Sequence, residues 1–151
     1  MRTLFLRPGA HAEAPSLGLS GPGRTAVRGT TYRAKRELSP FELAAVVCAN
    51  DPPSIQAAEL AAGVLDFLGP VVVLAEIGPT TPPEVLLGKV LPLGEVVLVV
   101  ADEPGLSRIA AALAGRPSFP TLTPGELAVL DERRPSCTFR EGASMAPLLL
   151  A

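Results

Sequence analysis

The sequence contains few of the residues from which metal sites and histidine-based active sites are built. It has one histidine, His11, and two cysteines, Cys48 and Cys137, in 151 residues. The cysteines are far apart, and Cys48 lies in an apolar run, so we expect a buried free thiol rather than a metal ligand or a disulfide. No convincing carboxylate cluster stands out either. We therefore predict no metal and no cofactor.

Two further absences restrict the partners of the chain. Lys and Arg number 13 against 15 Asp and Glu, a formal net charge of -2, so no basic field is available to attract nucleic acid. The longest apolar runs, residues 71–75 and 96–101, are far shorter than the ~20 residues of a membrane span. The apolar run at residues 4–6 is too short for a signal peptide. We expect a cytoplasmic protein that binds neither nucleic acid nor a membrane.

Aromatic residues are also scarce, at 4% of the chain, and tryptophan is absent. With 48% hydrophobic residues, the core must consist mainly of Leu, Val and Ala. A chain of this length is long enough to bury one sizeable core. We predict a single domain over residues 1–151.

Short apolar runs alternate with segments of helical periodicity. The predicted strands are residues 3–6, 43–48, 71–75 and 95–100. Helices are predicted within 24–36, from Asp51 to the stop at Gly69-Pro70, from 81–84 onward, and over 106–113. Short runs at 126–130 and 137–139, joined by the charged turn 131–134, add an edge strand or hairpin. This order predicts an α/β fold of three layers, with a mostly parallel sheet and helices on both faces.

Three local signals refine the helices. Gly29, Thr30 and Thr31 are poor helix formers in the middle of 24–36, so only part of that segment is expected to be helical. Residues 81–84 have the spacing of a capping box. The helix after Asp51 shows one apolar stripe, which consists of Ala57, Ala61, Val64, Leu65 and Leu68.

The first strand ends in Arg7-Pro8-Gly9, an arginine followed by a glycine-containing turn. An arginine beside exposed backbone N–H groups suits an anion such as phosphate. The loop at 49–53 and Asp102 also follow predicted strands. Because ligand sites form at the carboxyl ends of parallel strands, these three segments should meet at one rim of the sheet.

The order of these segments resembles the histidine phosphatase superfamily, with its phosphoglycerate mutase-like fold, and most of all the short phosphohistidine-phosphatase branch. Arg7-Pro8-Gly9 matches the Arg-His-Gly motif, and residues 19–24 resemble Leu-Thr-x-x-Gly-Arg. Gln56, Ala58 and Glu59 match the segment after the second strand. A valine-rich strand followed by residues 101–106 is similar to the last signature, Gly-His-x-Pro-x-Leu.

Against this resemblance, three positions depart from the family. Pro8 stands where the nucleophilic histidine is expected, Pro53 where the second phosphate-binding arginine is, and Asp102 where the second histidine is. Proline offers no nucleophile, and Asp102 adds a negative charge where a dianionic substrate would bind. The resemblance thus implies a degenerate, inactive relative with no catalytic residue. Such a chain acts as a binding or interaction module for an unknown protein or a small anionic or zwitterionic ligand.

Alternatives remain open at these positions. His11 is interpreted as an exposed loop histidine. The alternative is that His11 is a shifted nucleophile and that Arg7 binds the phosphate. A water activated by a metal ion is a further route to phosphatase activity. We expect Arg7 and Asp102 to form a structural ion pair, the alternative being that Arg7 binds a ligand. A homodimer that forms through an apolar helix face is a further alternative. One modest basic segment contains Arg24, Arg28, Arg33 and Arg36, and acidic residues elsewhere in the chain offset its charge.

Overall fold

A single mixed sheet organises the chain. The computed structural model describes residues 1–13 and 17–148. Its strands are β1 (Arg2–Leu6), β2 (Ala45–Cys48), β3 (Val71–Val73), β4 (Val96–Val100), β5 (Leu127–Asp131), β6 (Arg134–Phe139) and β7 (Ala146–Pro147). They lie in the order β3-β2-β4-β1-β5-β6-β7. Strands β1 to β4 run parallel, whereas β5, β6 and β7 are added antiparallel at one side.

Helices cover both faces of this sheet. They are α1 (Gly21–Leu38), α2 (Pro52–Val64), α3 (Pro83–Val90) and α4 (Gly105–Ala114). Because side chains alternate along a strand, neighbouring residues of β4 enter different cores. Leu98 packs with α1 and α2, whereas Val97 and Val99 pack with α3 and α4. The predicted α/β fold with three layers and a hairpin near the C-terminus is confirmed.

Helix α1 is longer than the sequence indicated. It spans the Gly29-Thr30-Thr31 stretch without interruption, because Thr30 and Thr31 are buried against the core. The Thr31 hydroxyl is satisfied within the helix, where Oγ1 donates to Val27 O at 2.6 Å. Ser20 caps its start by accepting a hydrogen bond from Gly23 N at 3.0 Å. Tertiary packing thus outweighs the weak helix propensity of these residues.

The start of α2 was predicted correctly and its end was not. Asp51 caps the helix by accepting a hydrogen bond from Ser54 N at 2.9 Å. The helix ends at Val64, and Asp66, with φ of 56°, turns the chain away in the left-handed region. Leu68 is consequently 99% exposed, so it does not belong to the apolar stripe of α2 in the fold.

Two boundaries near β3 also differ from the sequence prediction. The capping box at 81–84 is wrong: the N-cap is Pro82, and no side-chain hydrogen bond caps α3. Strand β3 ends at Val73, and Val72 and Val73 are each 42% exposed because β3 is the outer strand of the sheet.

Both cysteines are buried and free, which confirms the prediction for Cys48. Burial raises the pKa of the Cys48 thiol to about 11, aided by the negative charges of Asp51 and Glu59. None of the helices within 1–13 and 17–148 combines the length and hydropathy that a membrane span needs.

Candidate functional site

The carboxyl ends of β1, β2 and β4 meet at one edge of the sheet. Leu6 and Cys48 both lie opposite Val100 in the parallel register. The residues that follow these strands therefore share a rim, which includes Arg7, the 49–53 loop and Asp102. This is the edge at which open α/β sheets bind ligands.

Arg7 is held by two partners at this rim. Its Nε donates to Asp102 Oδ1 at 2.9 Å, and its Nη1 donates to the Leu122 carbonyl at 2.6 Å. The Arg7 and Asp102 side chains are 24% and 36% exposed. The expected ion pair is thus present, and the positive charge of Arg7 is balanced by a neighbour within the fold.

Asp102 also contacts the single histidine. His11 Nε2 lies 3.4 Å from Asp102 Oδ2, and the imidazole is 51% exposed. Residue 11 is positioned by a bridge between His11 and Leu19, which closes the loop that follows β1. The interpretation of His11 as a loop histidine is correct for its exposure, but its contact with Asp102 was not predicted, and no sequence signal indicates it.

The position of the third altered residue, Pro53, is set by α2. Together with Pro52 and His11 it lines a cavity of about 190 Å³ at the rim. Pro53 has no hydrogen-bond donor on its side chain or its backbone nitrogen. The cavity wall contributed by α2 is therefore apolar where a second phosphate-binding arginine would supply several donors.

Pro8 and Gly9 are buried beneath this rim. The Arg7 and Pro8 carbonyls both accept hydrogen bonds from Gly125 N, at 3.1 and 3.2 Å. On its other side, Gly9 packs so tightly on α1 that an added Cβ would lie 2.6 Å from Gly23 Cα. Backbone therefore encloses the turn, and Pro8 presents no reactive group there.

A second carboxylate, that of Glu103, links two segments of the rim by hydrogen bonds. It accepts hydrogen bonds from Ser107 N at 2.7 Å and from Leu122 N at 2.8 Å. The first bond fixes the amino end of α4, and the second fixes the residue whose carbonyl binds Arg7. The contact of Glu103 with α4 is the capping role expected of this carboxylate from the sequence, whereas its bond to Leu122 and the role of Leu122 were not predicted. Within the described part of the chain, no group of three or more His, Cys, Asp or Glu residues is arranged to hold a metal ion.

The architecture matches a structure of the protein histidine phosphatase SixA complexed with tungstate. The two superpose with a TM-score of 0.77 and 21% identity, covering 97% of each chain. This chain has the histidine phosphatase fold. The sequence resemblance is thereby confirmed at the level of the fold.

More distant histidine phosphatase-fold structures match as well. Phosphoglycerate mutase from Plasmodium falciparum superposes with a TM-score of 0.64 and 13% identity, covering 99% of this chain and 94% of that one. A mycobacterial glucosyl-3-phosphoglycerate phosphatase gives 0.60 and 14%, covering 86% and 90%. No protein-family model matches the chain, and no curated protein matches its sequence. At these identities the likeness is one of fold.

Proposed function

We propose that this protein is a non-catalytic binding or interaction module built on the histidine phosphatase fold. The observation that carries the proposal is the Arg7–Asp102 pair beside a buried proline. Phosphoryl transfer through a covalent intermediate needs a nucleophile and cations aimed at the phosphoryl oxygens. Pro8 and Pro53 supply neither, and the guanidinium of Arg7 is already hydrogen-bonded to a carboxylate and a carbonyl.

The charge pattern of the rim favours a ligand other than a phosphate dianion. Arg7 and Asp102 present opposite charges side by side, and both remain partly exposed. A dianion would gain from Arg7 and lose a comparable amount to Asp102, since charges about 4 Å apart interact by roughly 1 to 4 kcal/mol depending on the dielectric. A zwitterionic small molecule, or a protein surface with charges of both signs, fits this pattern.

We predict that Asp102→Asn raises the affinity for inorganic phosphate by about tenfold, because it removes the repelling charge and frees Arg7. Phosphate titration followed by NMR of the amides around Arg7 measures this. Asp131→Asn is the matched control, since Arg2 Nε pairs with Asp131 Oδ1 at 2.6 Å near the other end of the same strand. Tight phosphate binding by the wild type, or equal affinities in all three proteins, would contradict the proposal.

One observation favours a second candidate, a phosphatase that uses His11. The Asp102 carboxylate can accept a hydrogen bond from Nε2–H of a neutral His11, which leaves the Nδ1 lone pair free. Nδ1 would then attack phosphorus while the bond to the leaving oxygen breaks and that oxygen takes a proton from water. A second water would hydrolyse the phosphohistidine to phosphate. This route requires Arg7 to leave Asp102 and turn to the substrate, and His11→Ala would abolish it.

A further inference from the structure

The solvent face of α1 carries a row of arginine and tyrosine side chains. Arg24, Arg28, Tyr32 and Arg36 follow one another at four-residue spacing, which places them along one side of a helix. All four are exposed, and Tyr32 is 58% accessible. Arginine and tyrosine, together with tryptophan, are enriched among the residues that contribute most to binding energy at protein interfaces.

The fold itself does not use the first two arginines. Among the residues that the structure describes, Arg24 and Arg28 form no ion pair, whereas Arg36 is 3.5 Å from Glu37. The first turn of α1 contains no acidic residue. Like charges four residues apart destabilise a helix by roughly 0.2–0.5 kcal/mol, and a cation near the amino end opposes the helix dipole. The two arginines are therefore a small cost to the isolated chain.

A second row, of small residues, runs beside the arginines. Gly21, Thr25 and Gly29 also lie four residues apart, and all are exposed. A Cβ added at Gly21 or Gly29 would meet nothing within 4 Å, so packing within the chain does not require glycine at either place. An exposed glycine inside a helix costs about 0.5–1 kcal/mol relative to alanine. The row leaves a shallow track on which another backbone can approach closely.

We propose that this face of α1 binds an acidic helix of a partner protein. Carboxylates at four-residue spacing on the partner would pair with Arg24 and Arg28, while its backbone lies along the row of small residues. The face begins beside the candidate site, because Ser20, the cap of α1, donates from Oγ to the Ala10 carbonyl at 3.0 Å. The proposal is independent of whether the pocket is catalytic.

A helix fits this face better than the other anionic partners. A nucleic acid is disfavoured by the net charge of -2 and by a single row with two unpaired arginines. A membrane surface would need several large apolar side chains beside the basic ones, and Tyr32 is the one aromatic in this row. The straight row of small residues beside the arginines suits a rod-shaped partner.

The test is an NMR titration of the whole labelled chain with an alanine-based helical peptide that carries glutamate at every fourth position. Shifts are expected at Gly21, Arg24, Arg28 and Gly29, and they should vanish in about 1 M NaCl. In Arg24→Glu/Arg28→Glu the affinity should fall at least about tenfold, and a lysine version of the peptide should bind instead. Arg116→Glu/Arg134→Glu, which changes the charge equally at exposed sites elsewhere, should bind like the wild type.

Several results would overturn the proposal. They are the absence of shifts at millimolar peptide, shifts located away from α1, or equal loss of binding in the control variant. A DNA duplex or phosphatidylserine vesicles that bind the same residues more tightly than the glutamate peptide would assign the face to those partners instead. None of these outcomes depends on phosphatase activity. The proposal for α1 can therefore fail while the proposed function stands, and the proposed function can fail while the proposal for α1 stands.

Discussion

Replacing Gly23 by alanine is expected to lower the free energy of unfolding by about 2–3 kcal/mol. A Cβ at this position would lie 2.9 Å from Ala10 N and closer still to the Ala10 carbonyl oxygen. Both atoms belong to backbone, so no flexible side chain can move aside. Relief requires the loop after β1 to separate from α1, which would also disturb the turn that positions Arg7.

Gly29→Ala is the matched control on the same helix. Its Cβ would enter open space, so the substitution should stabilise the protein by about 0.5–1 kcal/mol through helix propensity alone. Urea denaturation of the two variants beside the wild type measures both effects. A Gly23→Ala protein as stable as the wild type would show that the close contact between Gly23 and Ala10 does not contribute to the stability of the fold.

The second large effect is expected for Glu126→Ala, which should cost about 3 kcal/mol of stability. Only 4% of the Glu126 side chain is exposed. Its carboxylate accepts hydrogen bonds from Thr123 N at 2.8 Å, Thr138 Oγ1 at 2.5 Å and Arg140 Nε at 3.2 Å. Alanine would remove all three hydrogen bonds and leave a space where the buried carboxylate lay. Thr138 Oγ1 would keep the Leu127 carbonyl as an acceptor at 3.2 Å, whereas the exposed Thr123 and Arg140 would return to water.

The pH dependence separates charge from packing at Glu126. Burial raises the pKa of its carboxyl, but the hydrogen bonds from Thr138, Thr123 and Arg140 outweigh burial and leave the pKa below its usual value. The stabilisation is therefore present above the unfolded carboxyl pKa of about 4.3 and is lost as the pH falls through the lower folded value. The stability difference between the wild type and Glu126→Gln should shrink in acid. A difference that stays constant from neutral pH to about pH 3 would assign the effect to shape instead.

Much of the fold follows from the sequence because its strongest signals are periodic. The apolar runs that became β1, β2 and β4 and the helical stripes between them are enough to predict a parallel sheet with helices on both faces. The errors lie at element ends. Leu68 continues the apolar stripe of α2 in the sequence, but a single left-handed residue, Asp66, ends that stripe in space.

The candidate site was predictable to the extent that it depends on strand ends. Arg7 and Asp102 follow adjacent parallel strands, so their pairing could be anticipated. The Leu122 carbonyl and the His11 contact could not, because each depends on the path of a loop rather than on a pattern of side chains. The fold therefore predicts where the site lies, and the loops determine which groups reach it.

We propose that this chain has the histidine phosphatase fold without the phosphoryl-transfer chemistry of histidine phosphatases. This proposal is tested most directly by hydrolysis of an aryl phosphate and of a phosphohistidine peptide, with and without Mg²⁺ or Mn²⁺, comparing the wild type with His11→Ala. We expect no turnover above that variant for either substrate. Wild-type turnover on the order of 1 per second or faster that disappears in His11→Ala would contradict it and would assign catalysis to His11.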